Sequence, residues 1–98
     1  MNAAIEPKFV LKLFIAGRLP RSESAIRTLR RLCEEELGGE CDLIVIDVLE
    51  QPEEAEKGGI LATPTVVKEL PPPIRKVIGD LSDKEKVMAG LDLRPIVR

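Results

Sequence analysis

Ile60-Leu61-Ala62-Thr63-Pro64-Thr65-Val66-Val67 is the stretch on which the fold turns. A proline is tolerated at the mouth of a β-branched run and not inside it, because it has no N–H for a ladder. The run therefore reads as a strand entered through an X-Pro bond, with Pro64 a candidate cis proline. Working outward toward the C-terminus, Pro71-Pro72-Pro73 forbids helix and sets an extended connection. Ile74–Ile78 follows as a further strand, and Gly79-Asp80 as a turn. Ser82 with Glu85 three residues on is a capping box, and Val87, Met88 and Leu91 supply an apolar stripe behind it. That predicts a last helix over Asp83–Leu91, which Pro95 bars from extending.

Toward the N-terminus, Glu50–Gly59 is polar and reads as a short helix or an irregular connection. Leu43–Val48, LIVIDV, is apolar on both faces, as in a strand of a parallel sheet. Ile26, Leu29, Cys33 and Leu37 recur at helical steps, so a helix is expected over Pro20–Leu37, stopped by Gly38 and Gly39. Lys8–Ala16, KFVLKLFIA, reads as a central strand. The predicted order is a right-handed βαβ unit, a variable stretch, then ββα.

Composition narrows the function. The 98 residues carry 15 Lys and Arg against 17 Asp and Glu, and neither half is a basic arm or an acidic tail. Nucleic-acid binders show a basic footprint and stacking aromatics. Here Phe9 and Phe14 are the two aromatics, both in an apolar run, so no nucleic-acid partner is expected. Neither a membrane-spanning run nor a basic-then-apolar leader is present, so the expectation is a cytoplasmic protein without a membrane partner. Histidine is absent, which removes the commonest general base and metal ligand. Cys33 and Cys41 match no redox or zinc spacing, and two reduced thiols are expected. No metal and no cofactor are expected.

A βαβ half joined to a ββα half, with X-Pro at the start of the third strand, is the thioredoxin-like plan. Redox enzymes of that plan place a cysteine at the start of the first helix, where backbone amides lower the thiolate pKa. Here the slot reads Gly17-Arg18-Leu19-Pro20-Arg21-Ser22, without cysteine. Ser22 has no base nearby to activate it and reads as an N-cap. No catalytic residue is expected.

VLKLFIAG (Val10–Gly17), VIDVLEQPEEAE (Val45–Glu56), ILATPTVVKELPPPIRKVIGDLSDKEKV (Ile60–Val87) and GLDL (Gly90–Leu93) resemble the KaiB family of circadian-clock proteins. The similarity runs over about residues 8–93 of a single domain expected to span 1–98. It implies a non-enzymatic protein that binds a KaiC-type ATPase ring, with KaiA and a SasA-like histidine kinase as further candidate partners. It also implies two folds that share the βαβ half. One is a monomeric thioredoxin-like βαβαββα. The other is a ground state, βαββααβ, that forms a homodimer or homotetramer. Lys68 and Arg75 match basic positions of the partner-binding half, and Gly90 and Asp92 match the switch segment. From helix propensity and the helix dipole, Gly90→Ala and Asp92→Arg are expected to favour the thioredoxin-like form. The alternative is a thioredoxin-like redox or stress adaptor without a clock role, using Cys33 and Cys41.

Overall fold

The computed structural model describes residues 8–96. Four strands form one sheet in the order β2-β1-β3-β4. β1 (Phe9–Ile15) lies at its centre, parallel to β2 (Cys41–Asp47) and antiparallel to β3 (Thr65–Leu70), which in turn pairs antiparallel with β4 (Arg75–Ile78). A strand with a neighbour on each side and helices over both faces is mostly apolar, which residues 9–15 supply at every position but Lys12. Leu11, Leu13 and Ile15 point to one face and are buried there with Val66. Phe14 points to the other and packs with Ile46 and Val67. Lys12 shares the Phe14 face and meets Glu69 at 3.5 Å.

α1 (Pro20–Arg31) covers the first face with Ala25, Ile26 and Leu29. Its first residue is proline, whose missing N–H would have had no partner there. The helix does not run on to Leu37 as α-helix. It widens into a π-helical turn, Leu32–Glu36, with the Leu37 N–H donating to the Leu32 carbonyl at 3.3 Å. The wider turn still keeps Cys33 and Leu37 in the core. Gly38 and Gly39 then take positive φ, and the chain reverses into β2.

The polar stretch after β2 resolves as a short helix, α2 (Pro52–Gly58), which buries no residue fully and closes on Gly59 at φ 64. The third strand begins five residues later than Ile60. Residues 60–64 are a loop, because Pro64 offers no N–H and the Thr65 hydroxyl closes a turn on the Ala62 carbonyl at 2.7 Å. α3 (Lys84–Gly90) is capped by Asp83 and not by Ser82. The Asp83 carboxylate accepts from the amides of Glu85 and Lys86, while the Ser82 amide is held by Asp80. Ser22 is likewise no cap. Leu19 holds that position, and Ser22 is buried inside the first turn. Among the described residues no helix is long and apolar enough to cross a membrane.

Candidate partner-docking site

The parallel pairing of β1 and β2, with β3 antiparallel, brings three loops to one end of the sheet: residues 16–19, 48–51 and 60–64. The Asp47 carboxylate ties the first two by accepting from the amides of Gly17 and Leu49 at 3.2 and 2.9 Å. Arg21 reaches across to the Thr63 carbonyl at 3.3 Å, and the Thr63–Pro64 bond is cis. The chemistry this end offers is contact. It holds no thiol, Arg18 pairs with Glu23, and Arg21 bonds the Thr63 carbonyl. Its exposed apolar groups are Leu19, Leu49 and Leu61, the last 97% exposed beside a pocket lined by Val48, Ala55 and Ile60.

At the other end, the register puts Lys68 directly opposite Arg75. Two like charges in direct cross-strand apposition are unfavourable. Neither makes an ion pair or a side-chain hydrogen bond with any other described residue. Lys68 keeps only 2% of its surface, beside Leu11 on β1 and opposite Arg75 on β4, whereas Arg75 is exposed. Lys68 is thus not a surface contact in this fold. Arg75 is the exposed member of the pair. Lys76, next along β4, is occupied by the Gly58 carbonyl at the end of α2, 3.0 Å away.

Gly90 and Asp92 lie on the same side of the molecule as this pair. A Cβ at Gly90 would sit 2.5 Å from a methyl of Val77, two residues from Arg75 on β4. Alanine there gains helix propensity but must displace a β-branched side chain that turns poorly, so the simple expectation for Gly90→Ala is corrected. The two terms separate in a double-mutant cycle. In a Val77→Ala background, Gly90→Ala should stabilise by about 1 kcal/mol, and in the wild-type background by clearly less. Equal effects in urea titrations of both backgrounds would remove the steric term.

Asp92 is the residue after the helix cap and takes φ 55, with its amide on the Ala89 carbonyl and that of Leu93 on Met88 at 2.8 Å. This is the Schellman arrangement, in which glycine is preferred and aspartate is better tolerated than long side chains. Asp92→Arg therefore sets a dipole gain against a backbone cost, and the earlier expectation is corrected on that ground. The clean substitution is Asp92→Gly. It should stabilise this fold by about 1 kcal/mol, read as a raised urea midpoint with an unchanged slope.

α3 is anchored at its other end by Lys84, whose amine meets Glu36 at 2.5 Å and Glu35 at 3.2 Å on the π-turn. The Lys84 hydrogen bond holds the Glu35 carboxyl below its usual range. The Glu36 and Glu35 bonds push the Lys84 amine up. The anchor is in place above the ordinary carboxylate pKa. It is lost as pH falls through the lowered Glu35 value, or as pH rises through the raised Lys84 value.

The cysteines differ from expectation. Cys33 and Cys41 are joined as a disulfide, their Cα atoms 5.5 Å apart. The turn over Gly38 and Gly39 brings the start of β2 back against the π-turn, which spacing alone does not reveal.

In sequence this chain is similar to circadian-clock proteins. A family pattern described as the KaiB domain matches residues 12–93. A circadian clock oscillator protein KaiB from Microcystis aeruginosa is 59% identical over 85 residues, 87% of this chain and 82% of the relative. Its counterpart from Acaryochloris marina is 55% identical over 91 residues, 93% and 88% of the two chains. Among solved structures, the N-terminal domain of Synechococcus elongatus SasA superposes with a TM-score of 0.70 at 25% identity, covering 100% of this chain and 96% of that domain. Mitochondrial thioredoxin 3 from Saccharomyces cerevisiae superposes with a TM-score of 0.70 at 19% identity, covering 89% and 79%, a likeness of fold alone.

Proposed function

The chain belongs to the KaiB family, and from that premise we propose that it is a non-enzymatic clock protein whose thioredoxin-like form docks on a KaiC-type ATPase. The observation that carries this reading is the Lys68–Arg75 pair, two apposed cations with no counterion among the described residues. A partner carboxylate set against Arg75 relieves the repulsion and supplies what the fold withholds. The switch residues act through the same strand, since Gly90 packs on Val77. The partner-binding charge and the segment that changes fold are therefore mechanically joined.

In this reading the thioredoxin-like state competes with an oligomeric ground state, a homodimer or homotetramer, whose βαβ half is the same. Two such packings need lie within only a few kcal/mol of each other. KaiA and a SasA-like histidine kinase are further partners. The plan shared with the SasA domain supports the kinase. The compartment is the cytoplasm. Capture on an immobilised KaiC-type ATPase with ATP tests the reading, and a chain that is not retained contradicts it.

A redox or stress adaptor is the second reading, favoured by the Cys33–Cys41 bond. Insulin reduction separates the two. Turnover that disappears in Cys33→Ser and Cys41→Ser supports the adaptor, and its absence supports the docking protein.

A further inference from the structure

We propose that the Cys33–Cys41 pair is a thiol–disulfide exchange site through which low-molecular-weight thiols loosen the seating of α3 and the C-terminal segment. The proposal goes beyond the docking reading and stands without it. It rests on where the pair sits. Cys33 belongs to the π-turn Leu32–Glu36, and Cys41 opens the edge strand β2. The same five-residue turn carries three attachments. Glu35 and Glu36 hold the Lys84 amine at the start of α3, and the Glu36 carbonyl accepts from the Ile96 amide at 2.7 Å. The last helix and the segment after it are thus moored to the element that the disulfide staples to the sheet.

Access selects the sulfur. Cys33 is buried in the core, whereas Cys41 is partly exposed and packs only against its border. A small thiolate attacks the Cys41 sulfur, forming a mixed disulfide, and the Cys33 sulfur leaves and takes a proton. A second thiol molecule attacks the mixed disulfide. It releases Cys41 as a thiol and a low-molecular-weight disulfide, so the protein gains two electrons and the two small thiols lose them. The free sulfurs then need more room than the bonded pair, in an interior packed closely enough to transmit the shift. The Leu32–Glu36 turn moves with the Cys33 sulfur, since Cys33 lies within it and also ties it to the chain reversal through the Gly39 amide on the Cys33 carbonyl, 3.1 Å. Disulfides inside cells are for the most part transient and redox-sensing, which fits a staple of this kind.

The test compares the chain equilibrated with reduced glutathione and with glutathione disulfide. Thiol titration should count two thiols in the first and none in the second. Amide exchange over residues 84–96 should be on the order of tens of times faster in the reduced form, the scale expected when a short covalent loop is opened. Lys84→Met should bring that ratio close to one over residues 84–91, because it cuts the side-chain mooring between the turn and α3, while the Ile96 amide keeps its bond to the Glu36 carbonyl. Cys41→Ser, at the partly exposed position, should show the fast exchange even with glutathione disulfide. Two free thiols under excess glutathione disulfide would overturn the proposal. So would equal exchange over residues 84–96 in both forms, or a redox ratio over residues 84–91 that Lys84→Met leaves intact.

Discussion

Arg75→Glu is expected to weaken binding to a KaiC-type ATPase by on the order of 30-fold or more, the scale of about 2–5 kcal/mol seen when a desolvated charge pair loses one partner. Two effects add. The exposed cation that a partner carboxylate would meet is gone. The introduced carboxylate also stands opposite Lys68 in the register and takes up that charge internally. The fold should not suffer, because a like-charge apposition becomes an opposite-charge one. Lys68→Met tests the buried member of the pair. It keeps a buried apolar stem, removes the amine and should lower affinity less than Arg75→Glu does. Titration calorimetry at two salt concentrations reads both variants. Unchanged Kd for Arg75→Glu would sink the assignment of this pair to the partner.

Leu91→Ala is expected to remove about 2–5 kcal/mol from the thioredoxin-like fold, the usual loss for truncating a fully buried leucine. Leu91 caps α3, has no exposed surface and packs in the main core with Leu81, Val87 and Met88. Total stabilities of about 5–15 kcal/mol make this a large share. The form of the loss is informative. If a second fold competes, the missing population appears as a folded oligomer and not as unfolded chain. Circular dichroism would then stay native in helix and strand content while the hydrodynamic radius grows. An unchanged urea midpoint for Leu91→Ala would contradict the packing described for α3.

The strongest periodic signals located the elements well, and tertiary partners decided the details. Residues 8–16 and 20–37 were legible because an apolar run and a helical stripe each match one period. The conversion of Leu32–Glu36 to a π-turn was not legible, since the stripe through Cys33 and Leu37 survives it. Ile60 and Leu61 are apolar and extend the strand pattern too far toward the N-terminus, yet Leu61 is 97% exposed and the strand waits for Thr65. Ser82 and Glu85 match a capping box in letters. The carboxylate of Asp83 simply competes better for the two amides it faces. Family likeness singles out Lys68 and Arg75, while the strand register shows that they face each other and the packing buries Lys68. Gly90 was read through helix propensity, a local term, while its contact with Val77 is set by how α3 crosses β4. The cysteine pair depends on the reversal at Gly38 and Gly39, a geometry that spacing does not encode.

Size-exclusion chromatography with light scattering, run on the chain alone and with a KaiC-type ATPase plus ATP, tests the central claim most directly. The expected result is an oligomer that gives way to a complex in which the chain co-elutes with the ATPase, and a complex strongly reduced with Arg75→Glu. A chain that elutes at the same position with and without the ATPase, or an Arg75→Glu variant that co-elutes as fully as the wild type, would contradict it.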